Sequence, residues 1–329
     1  MAWTDLLAQG ELGDGASEMQ AFATAAVMSP LADFGIIAFS GEETEPFLQG
    51  QLSSDIRALG ENTAQYSSYS TPKGRMLASF LVFRQGDDYC LQIAAELQEA
   101  IQKRLSMFVM RSKTKARDAS SELCLLGVAG PLAAEKLSAV LGDLPEGDFA
   151  TLHKEHCTVI ALPGKRYQLA ITSDAALALW QQLAASGVLP VAESLWRLSD
   201  IRAGSPWITA ATSDAFVAQM ANMELIGGVS FTKGCYPGQE IVARTQYLGK
   251  LKRRMYRASI ATEHAEAGQE VFSSEMNGQA SGKVMLAAPA DQGRWEILVV
   301  AQIASLELGL HLGTVDGPKL EILDLPYAV

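Results

Sequence analysis

The sequence predicts an α+β fold followed by a small all-β module, and three patterns predict it. Between residues 64 and 93, strand-type runs flank tight turns as an antiparallel meander. Residues 122–187 run strand, helix, strand, strand, helix, the order of a ferredoxin-like lobe. From residue 255 onward only short strand-type runs remain, such as 255–260, 279–286, 295–303 and 319–322, with turns at Gly268, Asn277-Gly278 and Gly293.

Taken in order, residues 1 to about 22 are acidic, Ala-rich and broken by glycine, which predicts a loosely held segment with room for one short helix. Gly35 to Ser40 reads as an apolar strand. Ser40 with Glu43 three residues on is the pattern of a capping box, opening a helix that carries Phe47-Leu48-Gln49-Gly50-Gln51. Ala64 to Ser70 and Met76 to Phe83 form strands around the Pro72-Lys73-Gly74 turn, and Tyr89 to Ile93 follows. From Glu96 to Val109, Leu97, Ile101, Leu105 and Phe108 recur at helical spacing as a core-facing stripe. Arg111, Lys113, Lys115 and Arg117 then alternate with small or polar residues and would share one face of a strand. Two readings fit them: a solvated edge strand protected by charge, or a patch for an anionic ligand such as a polyglutamate tail or an RNA backbone. Leu123 to Gly130 is a buried strand, and the helix after Pro131 ends at Gly142. Strands at 158–162 and 167–171 precede a helix from Ala175 to Ala185, capped by Ser173 or Asp174 and closed by Gly187.

The chain has 329 residues, enough for about two domains. A formal net charge of -11 argues against a general nucleic-acid binder, whose phosphate contacts need clustered Lys and Arg. The first cation is Arg57, so the beginning of the sequence lacks the basic start of a secretory or mitochondrial leader, and a cytoplasmic location is expected. The uncharged run from Ala175 to Ala192 contains Gln181, Gln182, Ser186, Gly187 and Pro190, too polar and broken for a membrane span. Cys90, Cys124, Cys157 and Cys235 form no C-x-x-C pair, which indicates neither a zinc knuckle nor a disulfide framework. His153 and His156 beside Cys157 would suit a metal only on a helix, and they lead into a strand, so a solvated turn is expected and no metal. There is no G-x-G-x-x-G and no Walker sequence.

The stretch that carries chemistry is Lys233-Gly234-Cys235-Tyr236-Pro237-Gly238-Gln239-Glu240. Pro237 and Gly238 suit the second and third positions of a type II turn, the third of which needs positive φ. A short helix begins near Glu240, so Cys235 is expected near a helix N-terminus, where an anion is favoured. Residues two apart share a face of an extended segment, which points Lys233 the same way as Cys235. Both effects lower a thiol pKa. The opposing reading is an inert cysteine in a structural turn. The cations Lys250, Lys252, Arg253, Arg254 and Arg257 follow, either as a strip for an anionic ligand or as a solvated strand.

These eight residues resemble the signature of the YgfZ family, folate-binding relatives of the glycine-cleavage T-protein that support iron-sulfur enzymes. The Phe-Leu-Gln-Gly-Gln stretch with Ser54-Asp55-Ile56 is similar to both families, as is Arg197-x-x-x-x-Arg202-Ala-Gly-x-Pro206 after Trp196, and the likeness runs from about residue 33 to the end. The resemblance implies a T-protein-like ring of three lobes: residues 25–118 plus 196–250 as a folate-binding α+β lobe, 119–195 as a second α+β lobe, and 251–329 as a C-terminal β-barrel. It implies a reduced folate, tetrahydrofolate or a relative, held by Trp196, Phe34, Arg202, Tyr236, Gln239 and Glu240, with Cys235 and Lys233 as the chemical pair. Phe34 stands where the family has a second tryptophan, keeping a stacking face but losing the indole N-H. Where the T-protein carries two aspartates this chain has Ala78 and Ser79, which removes the general acid or base there. The implied role is an accessory factor for iron-sulfur cluster assembly or repair, and so for tRNA modification, rather than an aminomethyltransferase. The alternative is a folate-dependent one-carbon transferase. Folate and iron-sulfur enzymes, tRNA-modifying ones included, are the implied partners; neither a membrane nor direct nucleic-acid binding is expected.

Overall fold

A computed structural model describes residues 15–329 of the chain. Residues 1–14, part of the segment expected to be loosely held, lie outside the described residues. The chain forms two compact units, one of residues up to 44, 58–65 and 81–196, the other of 45–57, 66–80 and 197–329. Its strands are β1 (Val27–Pro30), β2 (Phe34–Ser40), β3 (Ala64–Ser70), β4 (Met76–Gln85), β5 (Asp88–Ala94), β6 (Lys115–Asp118), β7 (Leu123–Ala129), β8 (Thr151–His153) and β9 (Cys157–Leu162). They continue as β10 (Arg166–Thr172), β11 (Leu189–Pro190), β12 (Arg253–Ala261), β13 (Glu270–Phe272), β14 (Ala280–Pro289), β15 (Arg294–Gln302), β16 (His311–Leu312) and β17 (Leu320–Leu323). The mixture of these strands with seven described α-helices is an α+β fold.

In the first unit a six-stranded sheet has the order β11-β1-β7-β10-β9-β8. All seven residues of β7 are buried, which is why the run is apolar without alternation. Cys124, Leu126 and Val128 share one face and join Leu169, Ile171 and Val159 in a core covered by the helices Ala133–Leu141 and Ala176–Ala185. The other face of β7 carries Gly127, where an added Cβ would lie 2.3 Å from Trp196 Cε3. Only glycine lets the indole lie on the strand. A second sheet has the order β3-β4-β5-β2-β6, the meander expected from the turn residues. Within the first unit, β2 pairs antiparallel with β5 and β6, against which the helix Ala95–Val109 packs.

Several local expectations change. The helix Gly15–Thr24 is tied down rather than loosely held, because buried Glu18 accepts a hydrogen bond from the Ala192 N-H at 2.8 Å. The capping box does not form: the helix starts at Thr44, and the Glu43 carboxylate accepts from the Lys113 N-H instead. Phe108 is 48% exposed, since the buried stripe of its helix stops at Leu105 and the chain turns out at Met110 with φ 46°. The alternating cations do not share one strand face. Only Lys115 and Arg117 lie on β6, Arg117 is held by Asp88 at 2.7 Å and Glu122 at 2.9 Å, and Lys113 pairs with Glu42 at 3.0 Å. Neither Ser173 nor Asp174 caps the helix Ala176–Ala185, whose first turn has no side-chain cap.

The second unit contains an antiparallel sheet in the order β16-β13-β14-β15-β12-β17 around Ala258, Ile260, Val284, Ile297 and Val299. An isolated antiparallel bridge joins His311 of β16 to Lys319, the residue before β17. The same unit carries the helix Gln239–Tyr247 and the Leu52–Ser54 and Thr71–Gly74 turns on which that helix and its leading loop are built.

Candidate functional site

The candidate site is built in the second unit from the loop before the helix Gln239–Tyr247. Its foundation is three successive carbonyls, those of Leu52, Ser53 and Ser54, in a stretch with no helical partners of their own. Lys233 Nζ donates to Leu52 O at 2.6 Å and to Ser54 O at 2.7 Å, while the Ser230 N-H donates to Ser53 O at 2.9 Å. A buried carbonyl left unpaired costs about 1–3 kcal/mol, so the segment from Ser230 to Lys233 is specified by what lies beneath it. Four serines complete the support. Ser53 Oγ donates to Gly228 O at 2.6 Å and sits 2.9 Å from Ser68 Oγ, and Ser54 Oγ donates to Ser67 Oγ at 2.7 Å.

Beyond Cys235 the backbone reverses as the Pro-Gly pair requires. The Gln239 N-H donates to Tyr236 O at 3.1 Å, and Gly238 takes φ 83° as the residue before the helix. No other residue fits there, because a Cβ on Gly238 would lie 2.6 Å from Thr71 O and 2.7 Å from Gly74 Cα. Gly74 in turn meets Ile241 of the helix. Arg75 fixes the other side of the same turn by donating to Ala215 O at 2.6 Å.

Lys233 and Cys235 do not face the same way. Lys233 is buried at 8% exposure and Cys235 is exposed, because Lys233 turns in to the Leu52 and Ser54 carbonyls and residues 234–236 are irregular rather than extended. Burial pulls the Lys233 ammonium down to about 8, with Asp55 opposing and Arg57 reinforcing the shift. Tyr236 lies under the same cation, its ring centroid 5.2 Å from Nζ. Its hydroxyl is buried with no hydrogen-bond partner among the described residues, and burial pushes the phenol up to about 12. Gln239 is half-buried at the start of the helix and Glu240 is exposed.

The other anticipated ligand residues stand elsewhere. Arg202 is spent on Glu296, reaching Oε1 at 3.1 and 2.8 Å, while Arg257 takes Oε2. Trp196 belongs to the first unit, 4% exposed, on Gly127 with the Arg166 guanidinium 5.2 Å from its ring centroid. Phe34, also in the first unit, opens β2 half-buried and pairs with Ala94. Ala78 is fully buried, and the Ser79 hydroxyl accepts from the Ile208 N-H at 2.9 Å, so neither position offers an acid. Two participants were not anticipated. One is Gln51, whose Oε1 is buried without a partner among the described residues; its signal was the Phe-Leu-Gln-Gly-Gln stretch. The other is the serine set at 53, 54, 67 and 68, of which only Ser54 carried a signal, in the Ser54-Asp55-Ile56 stretch, since the hydroxyls pair across segments more than ten residues apart.

A fold and loop of this kind define a class, and the comparisons agree. Residues 13–189 match the GCVT N-terminal domain family. The solved structure of the glycine cleavage system aminomethyltransferase T from Bartonella henselae superposes with a TM-score of 0.75 at 15% identity, covering 94% of this chain and 88% of that one. The chain is 32% identical over 305 residues to the tRNA-modifying protein YgfZ of Photorhabdus laumondii, 91% of this chain and 92% of that protein. It is 29% identical over 304 residues to the protein of that name from Sodalis glossinidius, again 91% and 92%. The chain therefore belongs to the YgfZ family, within the wider GCVT N-terminal domain family.

The buried lysine makes a pH prediction. The folded amine titrates near 8 and the unfolded one near its ordinary 10.5, so between those values the unfolded chain holds the extra proton and stability rises with pH. A neutral amine still donates to both carbonyls. From pH 7.5 to 10, urea unfolding midpoints of the native protein should gain on those of Lys233→Met by an amount equivalent to about 1–3 kcal/mol. Parallel profiles would show that Lys233 keeps its ordinary pKa.

Proposed function

We propose that this protein binds a reduced folate and acts as an accessory factor for iron-sulfur enzymes, and through them for tRNA modification. The observation that carries the reading is the partnerless buried hydroxyl of Tyr236 inside the Lys233-clamped loop. A buried polar atom without a partner is costly and rare in a native fold, and a ligand with a polar edge removes that cost. The donor set suits a pterin: Tyr236 offers an O-H, and Gln51 offers a carbonyl oxygen that is equally unpartnered. When bound, a reduced folate supplies ring nitrogens that carry or accept a one-carbon unit. The protein's own part is to hold that ligand with neutral donors and acceptors and to present Cys235 outward on the same loop.

The names of the relatives support the link to tRNA modification. The missing carboxylates support an accessory role over aminomethyl transfer, since Ala78 is apolar and the Ser79 hydroxyl is engaged with backbone. We further propose that Gln239 and Glu240 contribute polar contacts, and that the sheet of β12–β17 closes as a barrel, for which the His311–Lys319 bridge speaks. Arg202 would act on the ligand only by leaving Glu296. Among the described residues no helix is long and apolar enough to cross a membrane, and a cytoplasmic location is part of the proposal.

Calorimetric titration with tetrahydrofolate tests the binding. Tyr236→Phe removes one hydrogen bond, about 0.5–1.5 kcal/mol, so its affinity should fall roughly two- to tenfold. Equal affinity would take Tyr236 out of the pocket, and no heat from the native protein would remove folate. The cellular role is read in cells lacking the protein, by tRNA thiolation and iron-sulfur enzyme activity. Cys235→Ser is expected to bind folate normally yet fail to restore either activity; full restoration would make the thiol dispensable.

A further inference from the structure

One surface of the second unit is used by nothing described so far. The helix Gln239–Tyr247 ends with Leu248 N-H and Gly249 N-H both donating to Arg244 O, at 3.0 and 2.9 Å. This cap turns the chain sharply and leaves Tyr247 68% and Leu248 86% exposed. Phe231, from the loop that carries Cys235, packs edge-on against Tyr247 with ring centroids 6.2 Å apart, which steadies the phenol ring. Around this aromatic step the sequence from Ile241 to Arg254 holds five cations and no acid, in a chain whose net charge is -11. Arg254 is neutralised by Glu224. Arg244, Lys250, Lys252 and Arg253 have no ion-pair partner among the described residues. Lys252 is also held in place, because its carbonyl accepts from the Ile303 N-H at 2.9 Å and β12 begins at the next residue.

We infer that the surface formed by Arg244, Tyr247, Lys250, Lys252 and Arg253 docks a single-stranded segment of RNA. A base stacks on Tyr247 and the cations meet the phosphates that flank it. The assignment deepens the tRNA-linked reading proposed above and rests on it. An exposed ring beside unpaired cations is the arrangement that binds single strands, with stacking and charge acting together. The carbonyls at the helix end carry partial negative charge, which Arg244 in the last turn offsets, so Lys250, Lys252 and Arg253 set the sign of the local field. The whole-chain charge, which spoke against nucleic acid, is a weaker guide than this patch, because carboxylates more than about 8 Å away are screened at physiological salt. An acidic protein would also meet the cations, but a rigid exposed tyrosine with strongly spaced charges on a turn fits a chain of alternating bases and phosphates better.

Fluorescence anisotropy with a labelled tRNA transcript tests the inference on the full chain, with poly-glutamate as the competing polyanion. Binding should weaken with salt at a log–log slope of about -3, the value for four phosphate contacts on a single strand. Lys250→Gln with Lys252→Gln should reduce that slope by about 1.4. Tyr247→Ala, a substitution at an exposed position, should weaken binding roughly five- to 150-fold. Absence of binding at 50 mM salt, indifference to Tyr247→Ala, or equally tight binding of poly-glutamate would each overturn it, the last pointing to an acidic protein partner. Tetrahydrofolate titration of the same samples separates the two proposals. Folate binding without RNA binding defeats only this inference, and RNA binding without folate defeats only the folate reading.

Discussion

Three backbone carbonyls in a row govern the site. Those of Leu52, Ser53 and Ser54 follow a short helix and turn, and they are met by Lys233, Ser230 and Lys233 again. A cation that donates to two carbonyls gains charge-assisted bonds of about 1.5–3 kcal/mol each, offset by the cost of taking the ammonium out of water. That balance decides where the signature loop lies. With Lys233 committed inward, Cys235 two residues later is carried to the surface, and the Pro237-Gly238 reversal delivers the helix Gln239–Tyr247 against the Thr71–Gly74 turn.

The same logic separates binding from transfer chemistry. Where a carboxylate would serve as acid or base, Ser79 instead fastens the Ile208 backbone. Arg202 and Arg257 share Glu296, so a charge anticipated for a ligand supports the sheet beneath it. The loop turns its cation inward, leaves the Tyr236 hydroxyl without a partner among the described residues and carries one sulfur in solvent. At Ala78 and Ser79 the chain has no carboxylate to serve as a proton shuttle.

Much of the fold was legible because its signals are local. The apolar run of β7, the meander turns and the positive φ of Gly238 all follow from residue type and short-range spacing. The site was legible in part. Cys235, Tyr236 and the turn stood in the sequence, but the orientation of Lys233 did not, because its partners lie 181 and 179 residues away. Periodicity assumed an extended segment and put the amine beside the thiol. Trp196 stands out in the sequence as an aromatic, while the reason it fits, the bare face of Gly127 on a strand about seventy positions earlier, is invisible until the strand and helix meet. Phe108 departs from its stripe for the opposite reason: its helical spacing is right, but spacing does not say where burial along the helix ends.

Native-state labelling with a thiol reagent and an amine reagent, resolved by peptide mass, addresses the inward lysine and outward cysteine together. Burial raises the thiols of Cys90, Cys124 and Cys157 and shields them from reagent. Cys235 should therefore be modified first by a wide margin, while Lys233 stays protected as exposed lysines such as Lys250 and Lys252 react. A protected Cys235, or a Lys233 that labels as fast as those surface lysines, would contradict the clamp on which the site is built.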